Sequence, residues 1–375
     1  MLIIDRYIIT RFLVNFVILF ALLFIFAISI DVIVQLERFL DAADEAVEQG
    51  RYPGRLIGFL AAIIDFHGPR LFQFYAYMLG LLCVGAMGFT LAQMHRNREL
   101  VAMLSVGLSL GRVAIVIMLV AAGLNVLQMI NQEVMLPKLA PMLIREHRDI
   151  LSRGMSTFEV MMSRDQDGDL LLADTLEPET GTLSEVLILE RNPLGTAQRR
   201  ITAPKAIWDD QSQSWQLENG IATIRTQLDT EASMGTVVSP VETVTEWKTD
   251  LSPNVLIVRQ SAQYGQMLSL RQIKKIRQEG GVDSRQLSRY SYSRLAGILV
   301  NLLVLLIALP SFLLREPSNL LHRSIVCAGL AIPILLGSFL GMTMEVPGLS
   351  AGLSVFLPVA ILIPLAIGRL TMIRT

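Results

Sequence analysis

The sequence has little of what disulfide-bonded domains and metalloenzymes require. Its 375 residues include only two cysteines and four histidines. Cys83 lies inside one apolar run and Cys327 near the start of another, so neither belongs to a disulfide framework. The histidines are scattered, and none has a second ligand at helical spacing. We therefore expect no disulfide and no metal site.

Charge is scarce, and the usual catalytic motifs are missing. Only 17% of the residues are charged, the net charge is −1, and no basic stripe for nucleic acid is present. No G-x-x-x-x-G-K-[ST] phosphate loop occurs, because Gly107 to Arg112 lacks both the spacing and the lysine. No G-x-S-x-G nucleophile motif is present either. We expect no catalytic residue, no cofactor and no nucleic-acid partner.

Apolar residues, by contrast, are abundant. They make up 52% of the chain, and the mean hydropathy is +0.51. A helix that crosses a bilayer needs about 20 mostly apolar residues. We predict six spans in two groups of three, at residues 12–33, 71–92, 113–130, 295–314, 324–342 and 353–367. A shorter apolar stretch, residues 56–64, is expected at the membrane interface or folded against the bundle.

A mostly polar interval with β character separates the two groups of spans. β-rich pieces lie at residues 169–173, 184–189, 205–208, 215–217, 221–226, 242–248 and 255–258, between turn signals such as Glu218-Asn219-Gly220. This spacing predicts an antiparallel sandwich or jelly roll. Its inner face could hold an acyl chain or a partner strand, and a β domain that binds nothing fits the pattern as well.

The expected fold is therefore an α+β membrane protein, with six transmembrane helices (3+3) and an inserted β jelly-roll-like domain. Residues 1–135 hold the first three spans, residues 136–265 the β domain, and residues 266–375 a linker helix and the last three spans. Arginines collect on one side of the predicted membrane, which the positive-inside rule makes the cytosol. They are Arg6, Arg11, Arg96, Arg98, Arg112, Arg315, Arg323, Arg369 and Arg374. Both termini are expected in the cytosol and the β domain outside.

A charged segment joins the second and third spans on the cytosolic side. Residues 96–113 read RNRELVAMLSVGLSLGRV, a group of charges followed by an apolar run at helical spacing. The segment fits a tight loop between two spans. It also fits a docking surface through which a transporter without a nucleotide site receives energy. From the residues alone, the two readings are balanced.

Four features together resemble a known family. They are Ile4-Asp5-Arg6-Tyr7-Ile8, Arg98-Glu99-Leu100-Val101 with the following Ser105-Val106-Gly107, Thr249-Asp250-Leu251, and the order of three spans, β domain and three spans. The chain resembles the lipopolysaccharide-export permease family (LptF/LptG, YjgP/YjgQ) over nearly its whole length. The resemblance implies a half-transporter of the bacterial inner membrane. Its implied partners are a paralogous permease subunit, a cytosolic ABC ATPase dimer, periplasmic jelly-roll bridge proteins and lipopolysaccharide.

The resemblance also gives the charged segment a role. Residues 97–110 resemble the coupling helix that sits in a groove of the ATPase. Glu99 would be the charged contact, since a carboxylate accepts charge-assisted bonds from Arg or Lys. Leu100, Met103 and Leu104 would form the apolar anchor, and Arg98 belongs to the same predicted set.

Two residues are candidates for lipid contact. Family members often carry a basic residue at the outer end of the first span, but here that position is Asp31. Asp31 could pair with Arg38 or Arg70, or face water, which is the default. Arg70, at the outer mouth of the second span, is the remaining candidate for a lipid phosphate. Snorkelling at the interface explains Arg70 equally well.

Two other classes of function remain open from the residues. One is an ATPase-independent lipid or secondary transporter, for which broken helices and intramembrane charges are typical. The spans contain almost no such charge apart from Asp31. The other is a membrane-anchored periplasmic binding module, which needs no coupling surface. Copurification of a cytosolic ATPase would separate the export reading from both.

Overall fold

The computed structural model describes residues 3–145, 147, 150–151, 157–178, 180–192, 196–224, 241–279, 282–313 and 320–370. Arg315 and Arg374 of the orientation prediction lie outside these ranges, as do residues 225–226 of a predicted strand and residue 314 of the fourth span. The chain divides into two compact units, one formed by Met1–Lys138 and Ser288–Thr375 and the other by Leu139–Leu287. We call them the helix unit and the β unit.

The helix unit holds the membrane-spanning helices. They and their connecting helices are α1 (Ile3–Val34), α2 (Leu36–Glu48), α3 (Arg55–Arg96), α4 (Glu99–Ser105), α5 (Leu110–Ile130), a π-helical turn (Asn131–Met135), α10 (Ser284–Ala308), α11 (Leu320–Thr343) and α12 (Ala351–Leu370). The helix α6 (Leu136–Leu143) continues from the π-helical turn into the β unit, and α10 begins with the last residues of that unit. In the described part of the chain, six helical segments are long and apolar enough to cross a membrane. Three precede the β strands and three follow them, which confirms the predicted 3+3 arrangement.

The second span is much longer than a bilayer requires. α3 has 42 residues and is therefore about 63 Å long, against roughly 30 Å of hydrocarbon. Its first turns contain residues 56–64, the stretch expected at the interface or folded against the bundle, and the helix continues through Pro69 without a break. The amphipathic helix α2 packs on these turns, where the Phe39 and Phe66 rings lie 5.7 Å apart. Gly58 permits the close approach, since a Cβ there would lie 3.1 Å from the Ala43 carbonyl oxygen.

Aromatic and polar side chains join neighbouring spans. Phe20 of α1 lies 5.8 Å from Phe74 and 6.1 Å from Tyr75 of α3, measured between ring centroids. Tyr75 in turn donates its hydroxyl to the Leu124 carbonyl of α5 at 2.9 Å. Because hydrocarbon offers no water to polar groups, such groups bond across helices.

Two asparagine contacts follow the same rule. Asn15 of α1 donates to the Thr90 hydroxyl of α3 at 2.9 Å. Asn301 of α10 donates to the Asn125 side-chain oxygen of α5 at 3.2 Å, and Asn125 is buried. The second bond connects a span of the first group with a span of the last group, so the two groups form one bundle.

The β unit contains one antiparallel sheet of six strands among its described residues. The strands are β1 (Phe158–Arg164), β2 (Leu170–Glu177), β3 (Thr182–Arg191), β4 (Ala197–Asp209), β5 (Ser214–Ile224) and β6 (Val241–Lys248). Each strand pairs with its neighbour in the chain, in the order β1-β2-β3-β4-β5-β6. The inserted antiparallel β domain is confirmed, and its described strands follow a meander order where a jelly roll has Greek-key connections.

One predicted turn is wrong. Glu218-Asn219-Gly220 lies inside β5, where the pairing with β6 is irregular between Gln216 and Gly220. Asn219 has a φ of 52°, which asparagine tolerates better than most residues. A Cβ on Gly220 would overlap the Val244 carbonyl oxygen of β6. Turn-forming residues therefore make a bulge here, and residues 215–217 and 221–224 of the two predicted pieces belong to one strand.

One predicted strand is also wrong. Residues 255–258 lie in the helix α7 (Pro253–Gln260), which is followed by α8 (Ala262–Met267) and α9 (Leu270–Glu279). Ser252 caps α7 by accepting a bond from the Val255 N–H at 3.4 Å, and Pro253 occupies its first turn. A serine cap followed by proline favours a helix start, and it outweighs the β preference of the valines and Ile257.

The Thr249-Asp250-Leu251 sequence ties the end of β6 to the rest of the β unit. The Thr249 hydroxyl donates to Asp165 at 3.2 Å, and the Gln166 N–H donates to Asp250 at 3.2 Å. The Leu251 carbonyl accepts a bond of 3.0 Å from the indole N–H of the buried Trp215. All three residues of the motif thus have a structural contact within the unit.

The Asp250 carboxyl gives the β unit a dependence on pH. Burial raises its pKa above the usual range, although the Gln166 N–H opposes the shift. The folded unit therefore holds the Asp250 proton more tightly than the unfolded chain does. Stability from this group is present below the unfolded pKa and is lost as the pH rises through the folded pKa.

We expect Asp250→Asn to reduce the loss of stability that accompanies this rise in pH, because the amide has no charged form. Trp208, Trp215 and Trp247 all lie in β strands, and the chain has 3 tryptophans, so tryptophan fluorescence reports on this unit. Unfolding followed by fluorescence between about pH 4 and 7 is the measurement. A profile identical to that of the parent protein would contradict the assignment.

Two glycines of the spans provide a test of the helix packing. A Cβ on Gly80 of α3 would overlap the Asn301 side-chain oxygen and lie 3.0 Å from a Leu335 methyl, whereas Gly123 of α5 has nothing within 4 Å. We expect Gly80→Ala to destabilise the bundle by about 1–3 kcal/mol through overpacking. The matched control Gly123→Ala is expected to be neutral or slightly stabilising. Thermal unfolding in detergent measures both, and equal effects would contradict the packing.

Candidate functional site

The segment between the second and third spans folds as a short helix between two breaks. α3 ends at Arg96, and Arg98 has a left-handed φ of 59° that stops the helix from continuing. α4 then runs for 7 residues, Glu99–Ser105. Gly107, with a φ of 84°, provides the second break, and α5 begins at Leu110. We call residues 97–110 the coupling segment.

Glu99 attaches the start of the coupling segment to α1. Its carboxylate accepts a hydrogen bond from the Tyr7 hydroxyl at 3.0 Å and from Arg11 at 3.1 Å. Asn97 donates to the same carboxylate at 3.0 Å. The Arg11 guanidinium also lies over the Tyr7 ring, 4.6 Å from its centroid. The side chain of Glu99 keeps 22% of its surface exposed.

Arg112 attaches the other side of the loop to the same helix. Its Nε and Nη2 atoms donate to the two carboxylate oxygens of Asp5, each at 3.0 Å. A bidentate pair of this kind fixes direction as well as distance. Asp5 is 7% exposed, so this carboxylate is largely withdrawn from water. The loop is thus held to the first turns of α1 on both sides.

The apolar side chains of the coupling segment divide between two faces. Leu100 is 2% exposed and belongs to the bundle core, and Met103 and Leu104 pack against that core. Val101 and Val106 are 62% and 80% exposed. The sequence placed the apolar anchor on Leu100, Met103 and Leu104. Leu100 is turned into the bundle, whereas Met103 and Leu104 stay half-buried, so their contact with an ATPase stays a prediction.

Other basic groups lie near the same end of the helix unit. His95, in the last turn of α3, has its Nε2 atom 2.6 Å from the Phe312 carbonyl oxygen. Arg323 of α11 lies 3.4 Å from the same nitrogen and is 5% exposed. Tyr7, Arg11 and Arg112 belong to this end as well. The basic residues that sequence analysis grouped on one side of the membrane therefore include several that are brought together in space.

Of the two candidate lipid residues, Asp31 lies near the opposite end of α1, and Arg70 lies in the first half of α3. One carboxylate oxygen of Asp31 is 3.4 Å from the His67 Nε2 atom. The Arg70 guanidinium lies over the Phe66 ring, 3.4 Å from its centroid, and donates to the Phe66 carbonyl at 3.4 Å. The assignment of Asp31 and Arg70 to lipid contact stays a prediction.

Sequence reasoning missed the partners of Glu99 and Arg112. Asp5 and Tyr7 were noted as part of an opening motif, and Arg11 was counted as a basic residue near the membrane. The spacing of Asp5, Tyr7 and Arg11 does not show which of them contacts Glu99 and which contacts Arg112. These contacts join positions that are 88 to 107 residues apart in the chain. The position of Asp5 and Arg11 was nevertheless a signal. Both are charged and lie at the start of an apolar helix, where charged side chains need partners nearby.

The comparisons with known proteins agree with this layout. A family model described as "Lipopolysaccharide export system permease LptF/LptG" matches residues 6–372. No curated protein matches the chain. The matched range includes α1 from Arg6, the coupling segment, the β unit and the last three spans. The chain belongs to the LptF/LptG family of lipopolysaccharide export permeases.

Proposed function

We propose that this chain is the permease subunit of an ABC-type exporter that extracts lipopolysaccharide from the inner membrane for delivery to the outer membrane. Membership of the LptF/LptG family supports the permease role. A separate cytosolic ATPase dimer hydrolyses ATP, and a paralogous subunit completes the transporter. The β unit lies in the periplasm, where similar domains of bridge proteins receive the lipid.

One observation carries the coupling to an ATPase. The coupling segment displays Val101, on α4, and Val106, directly after it, to solvent, while Glu99 and Arg112 hold the loop to α1 from both sides. An isolated loop between two spans needs neither exposed valines nor two charged attachments. A fixed helix with an apolar outer face and a partly exposed carboxylate is suited to a groove on another protein.

The role proposed for Glu99 follows from its surroundings. Tyr7, Asn97 and Arg11 hold the carboxylate in one position, so little side-chain entropy is lost when a partner cation reaches its exposed part. Met103 and Leu104, which are half-buried, offer the rest of their apolar surface to the ATPase groove, and Leu100 anchors α4 to the bundle core. Arg98 contributes its left-handed conformation, which sets the direction in which α4 leaves α3.

The proposed orientation places the coupling segment and both termini in the cytosol. It rests on the basic residues at this end of the helix unit, which the positive-inside rule assigns to the cytosolic side. Arg11, Arg112 and Arg323 are members of that group with defined contacts. The last loop at the other end contains Glu345 and no basic residue.

We expect Glu99→Lys to abolish ATP hydrolysis coupled to lipid transport, because it places a cation where a partner cation binds. The measurement is ATPase activity and lipid release in vesicles that contain the permease pair and its ATPase. Before this test, the ATPase must copurify with the parent chain. If no ATPase copurifies, the result would favour the secondary transporter or the binding module.

Two further variants separate docking from internal effects. Arg11→Glu combined with Glu99→Lys restores an ion pair inside the chain but not the contact with the ATPase, so coupling should stay lost. Normal coupling in this double variant would show that Glu99 acts only within the permease. Val101→Asp changes the exposed face alone, and we expect it to weaken copurification while leaving thermal stability unchanged, because Val101 is 62% exposed.

The topology prediction can be checked with reporters at an exposed turn. Gln211 lies in the turn between β4 and β5, and its N–H bonds to Asp209. We expect alkaline phosphatase inserted after Gln211 to be active, because that enzyme forms its disulfides only in an oxidising compartment. Green fluorescent protein fused to the C-terminus is expected to fluoresce. An active phosphatase at the C-terminus and an inactive one after Gln211 would reverse the orientation.

A further inference from the structure

The helix α9 presents a basic face for which the export function gives no role. Its sequence is LRQIKKIRQE, with cations at Arg271, Lys274, Lys275 and Arg277. All four are exposed, whereas Ile273 and Ile276 are each 3% exposed. At 100° per residue, Arg271, Lys274 and Lys275 fall opposite the two isoleucines, and Arg277 lies at the flank. The helix therefore separates an inner apolar face from an outer cationic one.

The cations are held on a helix with a defined start. The Ser269 N–H donates to the Gln272 side chain at 2.8 Å, and the Gln272 N–H donates to the Ser269 hydroxyl at 3.2 Å. This reciprocal arrangement is a capping box, which fixes the first turn. Because Ile273 and Ile276 are buried, the helix cannot rotate its outer face away without exposing them.

α9 carries four cations against a single acid, Glu279 at its last position. The preceding residues, 251–278, contain no aspartate or glutamate, although the whole chain has a net charge of −1. Among the described side chains, none forms an ion pair with Arg271, Lys274 or Arg277. Arg259, the other cation of this stretch, is occupied within the unit, where it donates to the Arg164 carbonyl at 2.7 Å. The unbalanced charge is therefore local to α9.

The membrane surface is within reach of α9 through the chain itself. Four residues separate Glu279 from Ser284, the first residue of α10, and five peptide steps extend for at most about 17 Å. α10 belongs to the fourth membrane-spanning segment, Ser284–Ser311. Tyr290 and Tyr292 lie two turns into it, and tyrosines are enriched where spans cross the membrane interface.

The geometry points to anionic phospholipid headgroups as the partner of this face: we infer that α9 holds the β unit against the negatively charged surface of the surrounding bilayer. The outer face consists of cations with Gln278 and lacks an aromatic anchor, whereas protein interfaces place such anchors at their centre. Phosphate-bearing headgroups require only closely spaced positive charge, and each cation near an anionic membrane changes the equilibrium about fivefold.

A fluorescent label on the outer face tests the inference in the full-length chain. Gln278→Cys provides the attachment point, and Gln211→Cys in the exposed β4–β5 turn is the control position. Cys83 and Cys327 are buried and therefore protected from a water-soluble maleimide. The protein is placed in nanodiscs of phosphatidylcholine alone or with about 30% phosphatidylglycerol, each with a quencher on the lipid headgroups. We expect stronger quenching at position 278 in the anionic discs and no such difference at position 211.

High salt and charge-changing variants test whether electrostatic attraction causes the quenching. Quenching at position 278 should fall in 1 M salt, where the screening length shortens to about 3 Å. Arg271→Gln with Lys274→Gln should lower the ratio of surface-bound to free states by roughly 30-fold. Arg271→Lys with Lys274→Arg, which keeps the charge, should retain the effect. An unchanged tryptophan unfolding transition will show that the β unit is intact in each variant.

Three results would overturn the inference. The first is equal quenching in neutral and anionic discs, and the second is quenching that survives the two glutamine substitutions. The third is salt-sensitive crosslinking of position 278 to an acidic protein without any dependence on phosphatidylglycerol. None of these measurements involves the ATPase, so the outcome is independent of the coupling proposal.

Discussion

The arrangement of the first span depends on the ion pair between Arg112 and Asp5. α1 buries only Asp5, Ile8, Phe12 and Phe16, all in its first half, and the rest of its length is more exposed. The two bonds of 3.0 Å between Arg112 and Asp5 thus join α1 to α5 where α1 enters the bundle. Removing one partner would leave a charge at the edge of an apolar core, which costs more than the intact pair contributes.

The same constraint explains the placement of the other polar groups of the helix unit. Hydrocarbon leaves a polar group without water, so it must find its partner inside the protein. Arg294 of α10 accordingly donates to Glu133 in the π-helical turn at 3.1 Å. Arg289 donates to the carbonyls of Met342, Thr343 and Met344, where α11 ends and leaves them without intrahelical partners. Such contacts join spans far apart in sequence, in addition to the apolar core that the spans share.

Sequence alone was sufficient for what depends on composition and length. The six spans follow from apolar runs, and the antiparallel β domain follows from short strands between turns. It was insufficient where two local preferences compete. The valines at positions 255 and 258 favour a strand, but Ser252 and Pro253 start a helix, and Asn219-Gly220 makes a bulge inside a strand where a turn was predicted.

For the candidate site, the sequence located the segment but not its orientation. The helical spacing of Leu100, Met103 and Leu104 indicates one apolar face, yet spacing cannot say whether that face meets the bundle or a partner. Burial answers this for Leu100, which lies in the bundle core, because burying a large side chain removes much apolar surface from water. Met103 and Leu104 are half-buried, so their contact with a partner stays a prediction. Glu99 and Arg112 then attach the loop to one helix, so a force applied to α4 acts directly on α1. α1 continues from Asp5 to Asp31, about 39 Å along its axis, and there it again meets α3 at His67. The two ends of the first span are therefore linked through a single rigid element.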